Sequence, residues 1–165
     1  MRLLTLIRHA KSSWDYPDLT DFERPLNDRG RRDAPRMAQR LSRNCKPPLL
    51  LLSSPATRAV TTARLFAETL GVDFDSLLIE PRIYEASRKT LLEVIGDLPD
   101  RSAQVLLFGH NPGLSELAHT LANCPFDEMP TCAVVQLQLD LGNWAKVGPG
   151  CGRLLHYWFP KDGMD

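Results

Sequence analysis

Short apolar runs alternate along the chain with longer stretches of helical period. Residues 3–7 (LLTLI) form a nearly unbroken apolar run of strand length, which predicts a strand buried on both faces. Asn27 is placed to cap a helix running to about residue 44, with Ala34, Met37, Ala38 and Leu41 on one face. Pro35 inside that segment predicts a kink or a late start. Residues 49–53 (LLLLS) predict a second strand. Ser54 and Pro55 then fit as N-cap and first helical residue of a helix carrying Val60, Ala63, Ala67 and Leu70 and stopping at Gly71. Residues 76–80 (SLLIE) predict a third strand, and Ser87 a cap for a helix carrying Leu91, Leu92 and Ile95. Residues 104–109 (QVLLFG) predict a fourth strand, after which Asn111 and Pro112 open a helix from Leu114 to about Leu121. Residues 133–139 alternate at period two and residues 153–159 close the pattern; both are expected toward one edge of the sheet.

This order predicts an α/β fold: a three-layer α/β/α sandwich with a mostly parallel central sheet. No repeat, low-complexity tract or linker interrupts it, so residues 1–165 are expected to form one domain. In such sheets ligands bind beyond the carboxyl ends of the strands. The residues at those ends are not ordinary turn residues. Arg8 and His9 follow the first strand, and SSPATR with Arg58 follows the second. RIYEAS with Glu85 follows the third, and GHNPG with His110 follows the fourth. Taken singly, a histidine is more often a structural hydrogen-bonding residue than a catalyst. An arginine in a helix's first turn opposes the macrodipole unless an anion compensates it. Five such residues at one rim are a signal.

The chemistry they suit is phosphoryl transfer. Two guanidiniums can hold phosphate oxygens in pairs, and helix N-termini favour the same charge. One neutral imidazole can attack phosphorus, and a second, if protonated, can stabilise the charge that develops. A carboxylic acid such as Glu85 can protonate a leaving oxygen if its pocket raises its pKa. A metal centre fits less well, because two arginines would repel a cation and no HxxH or HxxxH spacing occurs. Net charge is formally zero, so nothing global calls for nucleic acid or membrane. The distribution is uneven, however: residues 1–64 hold 13 Lys+Arg against 6 Asp+Glu, and the remainder 7 against 14. That basic portion suits an anionic ligand, although most of the 29–43 arginine run reads as a solvated helix face. Cys45, Cys124, Cys132 and Cys151 include no CxxC pair, and no basic-then-apolar leader opens the chain. A cytoplasmic protein with no metal or other cofactor is expected.

IRHAKSSW, DFERPLNDRGRRDA, SSPATRA and GHNPGL, which together span most of residues 5–116, resemble the histidine phosphatase superfamily with its phosphoglycerate-mutase-like fold. Within it they are similar to the short SixA-type phosphohistidine phosphatases. The family signature is RHG, and here Ala10 replaces the glycine. The resemblance implies His9 as the phosphorylated nucleophile, with Arg8, Arg58 and His110 completing the phosphate pocket. Glu85 stands where mutase-like members carry their acid, and Asp15 and Asp21 are rival acids that read as solvated loop charges. Ser12 is a candidate phosphate contact and Arg24 a loop anchor, while His119 and His156 are expected to be structural. Only about 20 residues separate Glu85 from the fourth strand, so no large lid insertion is expected and the site should be open. An open site suits a phosphohistidine on a carrier protein. The alternatives are a small-molecule phosphomonoesterase using the same residues and a non-catalytic module that binds phosphorylated partners. A mutase, which needs a closed site, is least expected.

Overall fold

The computed structural model describes residues 1–161. The chain runs β1 (Arg2–Arg8), α1 (Asp28–Leu41), β2 (Leu50–Ser53), α2 (Thr57–Leu70), β3 (Leu78–Ile79), α3 (Arg88–Gly96), β4 (Gln104–Gly109), α4 (Gly113–Leu121), β5 (Val134–Leu139) and β6 (Gly152–Trp158). The six strands make one sheet in the order β3-β2-β4-β1-β5-β6. β3, β2, β4 and β1 are mutually parallel, and β5 runs against both of its neighbours. The predicted edge position of the last two strands therefore holds, with one antiparallel strand in an otherwise parallel sheet.

Period-two alternation divides the core between the two faces. On β4, Val105 and Leu107 pack with Leu91, Ile95, Leu114 and Leu117 of α3 and α4. Leu106 and Phe108 pack with Met37, Ala38, Ala63 and Phe66 of α1 and α2. Each large apolar side chain so buried contributes about 1.5–3 kcal/mol. β1 and β2 thus feed helices on one face, while β3 and β4 feed the other. β4 lies between β2 and β1, so the chain leaving it turns away from the chains leaving both neighbours. That divergence opens a crevice at the carboxyl ends of the strands.

Local signals in the sequence set several of the termini. Asn27 accepts the Gly30 amide at 2.8 Å, Ser87 accepts the Thr90 amide at 3.2 Å, and Gly71 ends α2 in the left-handed region at φ 72°. Three expectations need correction. α1 starts immediately after Asn27 and runs through Pro35, because the cap fixes its N-terminus and the carbonyl freed by Pro35 belongs to solvent-exposed Arg31. α2 begins at Thr57 with Ala56 in the cap position, because the Ser54 hydroxyl is used elsewhere: it accepts the Ala56 amide within its own turn and pairs with His110. β3 is only two residues long. Asp73 caps a 3-10 turn over Phe74–Ser76 that consumes the expected start of the strand. Among the described residues no helix is long and apolar enough to cross a membrane. Between Glu85 and β4 stands only α3 with a short turn, and no lid insertion covers the crevice.

Candidate active site

The pairing register places the last residue of β1, Arg8, opposite the last of β4, Gly109. His9 and His110 therefore emerge side by side, with ring centroids 5.3 Å apart. The chain after His9 is held against the approach to α1. Ser13 N donates to Pro25 O at 2.8 Å and Asn27 N donates to Lys11 O at 3.0 Å. Gly30 is required there, since a Cβ would collide with the Lys11 carbonyl. Ala10 needs no such freedom. It is fully buried in the core beside α1 and α2, and its amide donates to Thr62 Oγ1 at 3.0 Å. Its methyl group faces core neighbours, so the departure from RHG leaves the turn intact.

His9 is 7% exposed, and its Nδ1 lies 2.8 Å from the Ala10 carbonyl. A carbonyl can only accept, so Nδ1 carries the proton and the Nε2 lone pair is left free. Burial, with the charges of His110, Arg58 and Arg8, pulls the His9 pKa down to about 3 against the pull of the Ala10 bond. Burial and then Arg58 pull His110 down to about 4. Both rings are neutral at neutral pH in the free protein. His110 Nε2 shares a hydrogen bond with Ser54 Oγ at 2.8 Å, and its Nδ1 is buried without a partner.

A cavity of ≈240 Å³ is lined by Arg8, His9, Lys11, Ser12, Trp14, Arg24, Arg58, His110, Asn111 and Thr131. Four of these are cations and none is a carboxylate. Buried Nε atoms of Arg8, Arg24 and Arg58 also lack partners. Such unpaired donors each cost about 1–3 kcal/mol. Arg8 donates to Met129 O at 3.0 Å, and burial lowers its pKa from the ordinary arginine value. Arg24 anchors the loop as expected, donating to Ser12 Oγ, but it is also a third guanidinium in the cavity wall. Because Ser12 Oγ accepts from Arg24, its own proton is free for a ligand.

Asp21 is more than a solvated loop charge. Arg58 donates to its carbonyl at 2.6 Å and to Oδ2 at 3.0 Å, and Arg24 donates to Oδ1 at 3.2 Å. Tyr84 donates its hydroxyl to Oδ2 at 2.7 Å. The Tyr84 bond first, then Arg58 and Arg24, hold the Asp21 carboxyl down at about 2, so it is ionised and has no proton to give near neutrality. It is also the anion that offsets Arg58 at the start of α2. Tyr84 is a site residue that sequence reasoning missed. Its ring meets His110 edge-on at 5.6 Å, and its partner Asp21 is 63 residues away, so no local pattern announces it.

The remaining candidates lie apart. Glu85 is exposed, in the left-handed region at φ 54°, and lines an adjoining cleft of ≈340 Å³ with His110, Asn111 and Glu116. Asp15 lines a different cleft with Tyr16 and Arg29. Asn111, just past β4, joins α4 to the approach to β5, donating to Met129 O and accepting from Ser115 of α4. His119 bonds the Phe126 carbonyl and His156 stacks on Trp158, both away from the cavity. Among the described residues no group of three or more His, Cys, Asp or Glu side chains is placed to hold a metal ion.

The depressed histidines set a pH test. The native state binds fewer protons than the unfolded state between the unfolded pKa of about 6.5 and the folded values, so stability present above 6.5 is lost as pH falls toward 4 and then 3. Thermal melting of the wild type and of His9→Ala checks this. The wild type should lose stability relative to the variant as pH drops from 7 to 4.5, and parallel profiles would contradict neutral His9.

The sequence model of the histidine phosphatase superfamily (branch 1) matches residues 4–104. The uncharacterized protein Rv1276c of Mycobacterium tuberculosis is 35% identical over 166 residues, covering 94% of this chain and all of its own. A protein of Agrobacterium tumefaciens assigned as phosphohistidine phosphatase SixA superposes with a TM-score of 0.77 at 27% identity, covering 96% of this chain and 98% of its own. A protein histidine phosphatase SixA complexed with tungstate superposes at 0.79 with 22% identity, covering 96% and 97%.

Proposed function

The chain belongs to the histidine phosphatase superfamily and is a phosphatase; from that premise we propose that it removes phosphoryl groups from histidine side chains of other proteins, through a phosphohistidine intermediate on His9 and without a metal. The observation that carries this reading is the free Nε2 of a neutral, buried His9 inside a cavity lined by four cations and no carboxylate. Nε2 attacks phosphorus while Arg8, Arg58 and His110 hold the phosphoryl oxygens, with Ser12 donating its free hydroxyl proton. The N–P bond to His9 forms as the N–P bond of the substrate breaks. The substrate's imidazole leaves as a neutral ring once its other nitrogen has taken a proton from solvent. Water then attacks phospho-His9. Its oxygen bonds phosphorus, the electron pair of the broken P–Nε2 bond returns to His9, and orthophosphate departs. A neutral nucleophile avoids the repulsion that a phosphate dianion would exert on an anionic one.

An imidazole leaving group needs no strong acid, so the exposed position of Glu85 is compatible with this reading. A phosphate ester is more demanding, because an alkoxide must be protonated as it leaves. The place of Glu85 in the cleft beside His110 favours a second reading, a small-molecule phosphomonoesterase with Glu85 as the acid. Phosphate release from a histidine-phosphorylated carrier protein, measured in EDTA beside a panel of phosphomonoesters, separates the two. The expected result is fast release from the carrier, weak turnover of the panel, and no loss on Glu85→Gln. Strong turnover of one ester, abolished by Glu85→Gln, with an inert carrier, would establish the second reading. Binding of the carrier without release would make the protein a phosphate-binding module instead.

A further inference from the structure

Trp14 stands at the mouth of the phosphate cavity and is 74% exposed, the most exposed large apolar side chain among the described residues. Water would leave such an indole free to turn, yet this one is pinned. The Arg24 guanidinium lies over its ring, 3.8 Å from the centroid. Arg24 is itself held by Ser12 and by Asp21 at 3.2 Å, and is only 9% exposed. One face of the indole is therefore covered by a fixed cation, and the ring borders the cavity that holds His9. The cavity, at ≈240 Å³, is smaller than the roughly 300–1,000 Å³ of pockets that enclose whole small molecules. It suits a phosphoryl group together with the one small ring that bears it.

Resting on the phosphohistidine reading above, we infer that Trp14 is a specificity-determining residue: its ring stacks on the imidazole of the incoming phosphohistidine and aligns the N–P bond with His9. A flat aromatic ring gains from such a stack, and an alkyl or amino leaving group does not. Arg24 fixes the plane before the substrate arrives, so little ordering remains to be done on binding.

Phosphohistidine and phosphoramidate share the N–P bond and differ in the ring, so the pair isolates the stack. Trp14→Ala should lower kcat/KM for phosphohistidine about fivefold to tenfold, leave phosphoramidate within about twofold, and lower the melting temperature by no more than about 4 °C, as the loss of one exposed cation–π contact would. Trp14→Phe, which keeps a flat ring, should restore most of the loss. An equal fall on both substrates would mean that Trp14 only supports Arg24, and an unchanged value on both would mean that the ring is not engaged; either overturns the inference while leaving the phosphatase reading in place. Failure of the wild type to release phosphate from either N–P substrate would overturn both.

Discussion

His9→Ala should abolish turnover and leave the fold standing. On the proposed mechanism the loss should be at least ~10⁴-fold in kcat, since removing the nucleophile removes the covalent route itself. The fold should survive because the side chain does little structural work: its one hydrogen bond, from Nδ1, goes to the carbonyl of the next residue. Its burial holds the ring neutral at the expense of hydration. The variant should still bind a phosphate-like oxyanion, because Arg8, Arg24 and Arg58 remain. Phosphate release from the carrier, a melting curve and tungstate binding measured together decide the matter. Activity above about a hundredth of the wild type would remove His9 from the mechanism.

Arg58→Ala comes next in size. Arg58 is 6% exposed, sits in the first turn of α2 and presents its fork to Asp21 as well as to the cavity. Losing a fixed donor from the charge that develops in phosphoryl transfer costs about 10²- to 10³-fold in rate. Arg58→Lys should recover little of it, since an ammonium keeps the charge but not the planar pair of donors. Stability should change modestly. Asp21, left behind, has a side chain 48% exposed and keeps Arg24 and Tyr84 as partners. Steady-state kinetics of both variants test this. A lysine variant within twofold of the wild type would reduce Arg58 to a point charge, and an alanine variant within tenfold would take it out of phosphate binding.

The cavity's principal residues were legible because each follows an apolar run: Arg8 and His9 after 3–7, Arg58 soon after 49–53, His110 after 104–109. Strand continuity and the parallel-sheet rule were enough to bring them to one rim. What was not legible is what joins one loop to another. Asp21 looked like a solvated charge because its partners Arg58 and Tyr84 are 37 and 63 residues away. Ser54 looked like a helix cap because serine before proline usually is one, and its diversion to His110 depends on the β2–β4 pairing. The third strand is shorter than its apolar run suggests because Leu78 and Ile79 lie exposed at the outer edge, where little packing sustains a longer ladder. Tertiary context decided each of these, and local propensity could not.

The backbone of Arg8 and His9 is tied at every polar group. Arg8 N donates to Ala133 O at 3.2 Å and His9 N to Gly109 O at 3.1 Å. The Cys132 amide, in the left-handed region at φ 62°, is shared by the carbonyls of Arg8 and His9 at 3.1 and 3.0 Å. Opening this dipeptide therefore means separating β1 from β4 and from the approach to β5 at once. Its amides should therefore fall in the slowest hydrogen-exchange class, whose release reports global unfolding and not local breathing. His9 is thus mounted on backbone tied into β1, β4 and the approach to β5 at once, and any give in the crevice has to come from the loops around it.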